Sequence, residues 1–258
     1  MSSALLKTNR RSLLPGGLRK AADLAVNILY PRRCPVCDRP VRPLGALICP
    51  ECERVPRRVG AERCLRCGRK VPAHMEYCRG CRERRHYFTR GCSAFSYAGI
   101  KTSLYRFKYM GRQEYAAWYG QEMTRALAER VRKGGFPRPD LIVPVPLSDK
   151  RMRKRGYNQA ALLAREVSKR CGIPCLEGAL KRVRDTKPLK TEGVLERQEN
   201  LKRSFLVYGN DVKLKSIMLI DDIYTTGATV DACASALLSA GAVSVTFLTL
   251  ASGDETKC

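Results

Sequence analysis

No stretch of this chain approaches the run of about 20 apolar residues that a membrane-spanning helix requires, so a soluble protein is expected. An export signal is missing as well. Near the N-terminus Leu18, Ala21, Ala22, Ala25, Ile28 and Leu29 recur at helical spacing, but Asp23 and Asn27 interrupt what would be a signal-peptide core. The expectation is a short amphipathic helix within residues 1–30 and a cytoplasmic, reducing compartment in which disulfides do not form. Acidic residues are scarce: 24 Asp plus Glu face 49 Lys plus Arg, a formal charge of +25 over 258 residues. Such a balance favours a polyanionic partner, nucleic acid or a phosphorylated ligand, without choosing between them. The first 93 residues carry +14 of that charge, so if nucleic acid binds, the N-terminal third is the favoured surface.

Cysteine, by contrast, is abundant, with 13 residues. Eight of them form four CxxC pairs: Cys34 and Cys37, Cys49 and Cys52, Cys64 and Cys67, Cys78 and Cys81, at intervals of 11, 11 and 10 residues. A CxxC turn aims two sulfurs at one point, and two such turns make a tetrathiolate cage for Zn²⁺, so two structural zinc sites are expected over residues 31–91. Because the bound thiolates are charged, the two sites would reduce the net charge to about +21. The turns can share metal sequentially, first with second, or in an interleaved way, first with third; sequential pairing is the preferred reading, and spacing does not decide it. His74 and His86 have no necessary place as ligands. The segment holds few large apolar residues, so metal would supply the stability that a hydrophobic core cannot. Closed four-cysteine cages offer no open coordination position, which points to a structural role. Cys92, Cys171, Cys175, Cys233 and Cys258 fall outside the pattern and read mostly as small core residues.

From Cys92 onward strand-like and helix-like segments alternate, which predicts an α/β layer on a mainly parallel sheet. Residues 93–97, 141–145, 216–221 and 243–250 read as strands, and residues 115–131, 158–171 and 229–240 as helices. Ligands of such sheets bind where strands end at their carboxyl side.

The most informative string is Ile217 to Thr229, an apolar strand running into Asp221, Asp222, Ile223, Tyr224, Thr225, Thr226, Gly227, Ala228 and Thr229. Its turn offers backbone N–H groups, hydroxyls and a helix N-terminus to one point, while Gly227 permits close backbone approach; this is a phosphate cradle. The string resembles the motif that binds phosphoribosyl pyrophosphate (PRPP) in type I phosphoribosyltransferases. By that resemblance Asp221 and Asp222 hold the ribose hydroxyls, and Thr225, Thr226, Gly227, Ala228 and Thr229 hold the 5′-phosphate. Where enzymes salvaging 6-oxopurines place an Asp at the head of the turn, this chain has Thr225, which cannot act as a general base near pH 7 and disfavours such an acceptor.

A second loop candidate follows the strand Leu141 to Val145: Lys150, Arg151, Arg153, Lys154 and Arg155, then Gly156, Tyr157, Asn158 and Gln159 opening a helix. Guanidinium groups bind pyrophosphate bidentately, so Arg151 and Arg155 are candidates for stabilising that leaving group. A polar segment from Arg184 to Phe205 has the length of a lid over the site.

Together the CxxC pairs, Tyr97-Ala98-Gly99, Phe107-Lys108-Tyr109, the basic loop, Arg184-Asp185-Thr186 and the Asp-Asp-Ile-Tyr-Thr-Thr-Gly-Ala-Thr string resemble the ComF family from about residue 24 to residue 251. Leu189 departs from its pattern, where Gln is common. The resemblance implies a type I phosphoribosyltransferase domain over residues 92–258 behind a zinc-ribbon module, PRPP carried with Mg²⁺, and a phosphoribosyltransferase of unspecified acceptor, with Asp221, Asp222, Arg151 and Arg155 as its catalytic residues. It also implies a role in natural transformation on incoming single-stranded DNA, beside a helicase-like ATPase and a DNA-processing protein. The alternative is a non-catalytic adaptor that binds single-stranded nucleic acid or senses PRPP.

Overall fold

The computed structural model describes residues 31–183 and 204–253. The expected N-terminal helix, most of the expected lid with Leu189, and Cys258 lie outside the described residues.

Each ribbon begins as a tight knuckle. Cys34 N–H donates to the Arg39 carbonyl and Cys64 N–H to that of Arg69, both at 2.8 Å, so the chain doubles back around its first CxxC turn. The first ribbon has a small cluster of its own around Cys34, Val41 and Cys52. The second ribbon, with a single helical turn α1 (Arg79–Glu83) after Cys78, has no separate core, and its cysteines, Val71 and Phe88 join the main one.

That main core is divided by a four-stranded parallel sheet, in the order β1 (Arg90–Ser96), β6 (Ser244–Ser252), β5 (Ser216–Tyr224), β2 (Leu141–Pro144). Because side chains alternate across a strand, Ile217 and Leu219 face one side of β5 and Met218 and Ile220 the other. The second side is covered by α3 (Ala116–Arg132) and α5 (Gln159–Cys171), through Tyr119, Met123, Leu163 and Val167. On the first side α6 (Ala228–Ser239) shares the work with the second zinc ribbon, so a metal module stands where a helix would complete the layer. Between the ribbons, residues 57–59 run antiparallel along β1: Val59 N–H donates to the Ala94 carbonyl and Ser96 N–H to that of Arg57, both at 3.0 Å. The linker thereby covers an edge that would otherwise expose unpaired backbone groups. A separate two-stranded antiparallel ribbon is formed by β3 (Leu180–Arg182) and β4 (Phe205–Val207).

The α/β class, the parallel sheet and the zinc-ribbon module are those expected of a type I phosphoribosyltransferase fold with an N-terminal metal module. Three local expectations change. The basic stretch read as a loop is a helix, α4 (Asp149–Arg155), closed by Gly156 in the left-handed conformation at φ 75°. It has no buried residue, hence no apolar periodicity to read, but Lys and Arg are good helix formers and their charges suit its last turn. Helix α2 (Lys101–Tyr109) was likewise not anticipated. Strand β5 continues through Tyr224 instead of ending at Asp221, so Asp222 also belongs to the strand, and α6 starts at Ala228, which places Thr229 in its first turn.

Candidate functional site

The parallel register sets Pro144 of β2 beside Ile220 of β5, so the residues leaving both strands meet at one end of the sheet. There the Asp221 carboxyl is pushed up to about 7 by burial, with the neighbouring Asp222 carboxylate adding to the rise. The Asp222 backbone N–H, donating to Asp221 Oδ1 at 2.7 Å, and the charges of Lys108 and Arg151 act against it. Lys108, in the last turn of α2, places Nζ 2.8 Å from Asp222 Oδ2, with both side chains largely buried. The turn after β5 leaves Thr225 and Thr226 exposed, and Gly227, at φ 82°, leads into α6. A Cβ on Gly227 would stand 2.6 Å from the Tyr224 hydroxyl, so the position excludes a side chain by conformation and by space.

The structure therefore brings Asp221, Asp222 and the turn from Thr225 to Thr229 together, with Arg151 within electrostatic reach. Arg155 is held in an adjoining cleft that shares Lys108 with these residues. Its guanidinium donates to Gln159 Oε1 at 2.9 Å and to the Tyr109 hydroxyl at 3.2 Å, and lies 5.1 Å from the Tyr109 ring centroid. With Lys108, Lys154, Tyr105, Tyr109 and Tyr157 it lines a cleft of about 490 Å³. Asn158 fixes the entry to α5, accepting from Ala160 N–H at 3.0 Å and donating to the Val145 carbonyl at 3.1 Å.

The metal clusters are sequential: Cys34, Cys37, Cys49 and Cys52 form one, and Cys64, Cys67, Cys78 and Cys81 the other, with the sulfurs of each within 4.8 Å of one another. Between pairs, Cys37 Sγ lies 3.9 Å from Cys49 Sγ and Cys67 Sγ 3.7 Å from Cys78 Sγ. Four sulfurs at about 2.3 Å from a central Zn²⁺ stand about 3.8 Å apart, so both cages fit zinc. His86 is not a ligand: its Nδ1 lies 2.5 Å from Asp231 Oδ2 on α6, and its ring stacks on Phe88. Cys92 and Cys233 are buried thiols whose pKa is raised by burial, as core residues should be.

The second ribbon also touches the turn after β5. Arg69, just after the Cys67 knuckle, donates to the Thr225 carbonyl, and its guanidinium carbon lies 5.3 Å from the Tyr224 ring centroid. Tyr224 in turn stacks on Phe247 at 4.6 Å. The first ribbon is fastened elsewhere, with Asp38 Oδ1 accepting from the Tyr115 hydroxyl at 2.6 Å and Asp38 Oδ2 from Arg112 Nη2 at 3.2 Å. Sequence reasoning assigned no role to Lys108 or Arg69. Their signals were the Phe107-Lys108-Tyr109 triplet and the arginine after Cys67-Gly68.

A family model of the double zinc ribbon domain matches residues 25–82. The chain is 28% identical over 181 residues to competence protein F of Haemophilus influenzae, which covers 67% of this chain and 77% of that one. It is 30% identical over 169 residues to DNA utilization protein YhgH of Salmonella typhi, at 65% and 74% coverage. Against competence protein ComFC of Bacillus subtilis it is 34% identical over 152 residues, at 58% and 59%. Among solved structures, a purine phosphoribosyltransferase from Pyrococcus horikoshii Ot3 shares 19% identity at a TM-score of 0.31, over 50% of this chain and 69% of that one. No helix among the described residues is long and apolar enough to cross a membrane. The paired metal knuckles, the acidic strand end with its threonine turn, and the identity to these relatives over most of their length make this chain a member of the ComF family.

Proposed function

We propose that this chain binds PRPP with Mg²⁺ and transfers its ribosyl 5-phosphate to an acceptor, acting in the cytoplasm in the handling of DNA taken up by the cell. The observation that carries this reading is the meeting of Asp221 and Asp222 with the Thr225-Thr226-Gly227 turn at the start of α6, beside Arg151. The two carboxyls accept bonds from the ribose 2′ and 3′ hydroxyls, and the turn's N–H groups and hydroxyls hold the 5′-phosphate at the helix N-terminus. With the sugar fixed at both ends, the C1–pyrophosphate bond stretches through an oxocarbenium-like transition state, and the cations of α4 stabilise charge building on the departing pyrophosphate. Mg²⁺ bound to PRPP would offset part of that charge.

The role in DNA handling is supported by the relatives named for competence and DNA utilization, and a helicase-like ATPase and a DNA-processing protein are the partners proposed with it. Zinc-loaded protein titrated calorimetrically with PRPP and Mg²⁺, in parallel with the Asp221→Ala/Asp222→Ala variant, tests the reading. Binding by the wild type that disappears in the variant is expected. Absence of wild-type binding would remove PRPP from the function.

A second reading, single-stranded nucleic-acid binding without catalysis, is favoured by Tyr105 and Tyr109, 58% and 52% exposed, standing beside Lys154 and Arg155. Aromatic faces next to cations stack bases and neutralise phosphates. Affinity for a single-stranded oligonucleotide should then fall steeply with salt and with Tyr105→Ala/Tyr109→Ala; a salt-independent affinity excludes it.

A further inference from the structure

We infer that Lys108 is a specificity-determining gate, which makes the site prefer a ribose phosphate bearing an anion at C1 over one without it. The inference rests on the PRPP reading and adds a positioning residue to it. Lys108 Nζ is 2.8 Å from Asp222 Oδ2, with the two side chains only 14% and 13% exposed. The carboxylate assigned to the ribose diol is thus already occupied by a cation. A neutral diol brings no charge to replace it, so sugar binding takes Lys108 from its partner and leaves a largely buried ammonium uncompensated, which is costly.

The same lysine also lines the cleft with Lys154 and Arg155, where no carboxylate is found among the described residues. Its flexible four-carbon stem lets Nζ swing from Asp222 into that cleft. A polyphosphate on C1 gives the released ammonium a new counter-charge there, whereas ribose 5-phosphate does not. Discrimination follows from exchanging one ion pair for another, and the lysine reports the presence of the leaving group to the carboxylates that hold the sugar.

The test compares PRPP and ribose 5-phosphate, each with Mg²⁺, by calorimetry on wild type, Lys108→Met and Lys108→Arg. Wild type should favour PRPP. In Lys108→Met ribose 5-phosphate should bind as well or better and PRPP more weakly, lowering the affinity ratio by about tenfold or more, as expected for one charge-assisted contact. Lys108→Arg, which keeps the charge, should hold the ratio within about threefold of wild type. An unchanged ratio in Lys108→Met overturns the gate while leaving the PRPP reading intact; wild type that binds neither ligand overturns the reading itself.

Because Lys108→Met leaves Asp222 without its partner, reductive methylation of the wild-type lysine gives a second, fold-independent readout by mass spectrometry. Labelling of Lys108 should be low without ligand, rise with ribose 5-phosphate and fall with PRPP. Labelling that ribose 5-phosphate does not raise also overturns the gate.

Discussion

The guanidinium of Arg69, one residue beyond the Cys67-Gly68 knuckle, donates to the backbone carbonyl of Thr225 in the turn after β5. A metal cage and the turn leading into α6 are thereby joined across 156 residues of sequence into one mechanical unit. Arg69 is 2% exposed and also faces the Tyr224 ring, so its position depends on the second ribbon holding its shape. Arg69→Met should weaken PRPP binding by about tenfold and cost about 2 kcal/mol of stability, measured by calorimetry and thermal melting. Removing zinc from the second cage should weaken binding at least as much. Cys34→Ser/Cys37→Ser, in the ribbon held by Asp38 instead, should affect it far less; equal losses from both ribbons would contradict this coupling.

Gly227 has both a positive φ and no room for a side chain, because a Cβ would meet the Tyr224 hydroxyl at 2.6 Å. Tyr224 cannot yield easily, being stacked on Phe247 with its ring edge-on to Phe88. Gly227→Ala should therefore abolish detectable PRPP binding and lower stability by roughly 1–3 kcal/mol. A variant that binds normally would show that the turn reorganises on ligand binding.

Asp221 gives the site a pH dependence of defined sign. Its carboxyl, ordinarily at 3.8, is pushed up to about 7, chiefly by burial and then by Asp222. A group that holds its proton more tightly when folded contributes its full stability below the unfolded value and loses it as pH rises through the folded one. Wild-type stability should thus decline between about pH 4 and 7, by roughly 2–4 kcal/mol in all. The groups facing it are Asp222, Lys108, Arg151 and the Cys233 thiol, and Cys233 stays neutral throughout because burial and the Asp221 charge raise its pKa. Melting curves of Asp221→Asn should lack this decline; an identical slope in the variant would assign it elsewhere.

The first ribbon is attached through Asp38, whose φ of 61° turns the knuckle toward α3. Burial raises its carboxyl, but the Tyr115 hydroxyl and the Arg112 guanidinium prevail and hold it below its ordinary value. A double-mutant cycle of Asp38→Ala with Tyr115→Phe should give a coupling of about 1–3 kcal/mol in urea unfolding. Independent, additive effects would mean that the ribbon is held mainly by other contacts, such as Arg106 Nη1 donating to the Val36 carbonyl at 3.0 Å.

What was legible beforehand is what lies close together along the chain. The four CxxC turns and the run from Ile217 to Thr229 announce their chemistry because every group they need falls within a few residues, where backbone geometry alone sets the spacing. The parallel sheet followed from apolar runs alternating with amphipathic helices, since burial imposes those periods. Helix α4 was illegible because it buries nothing and so leaves no period to detect.

By itself, then, the sequence determined that this protein carries two tetrathiolate cages, a threonine- and glycine-bearing turn after two carboxyls and a large excess of positive charge. Only the tertiary structure decided which cysteines share a metal, that the second ribbon rather than a helix completes one face of the sheet, and that Lys108 and Arg69 reach the site. Those outcomes depend on side chains brought together from distant segments. Their meeting is fixed by strand register and core packing, and neither is written in any local run of residues.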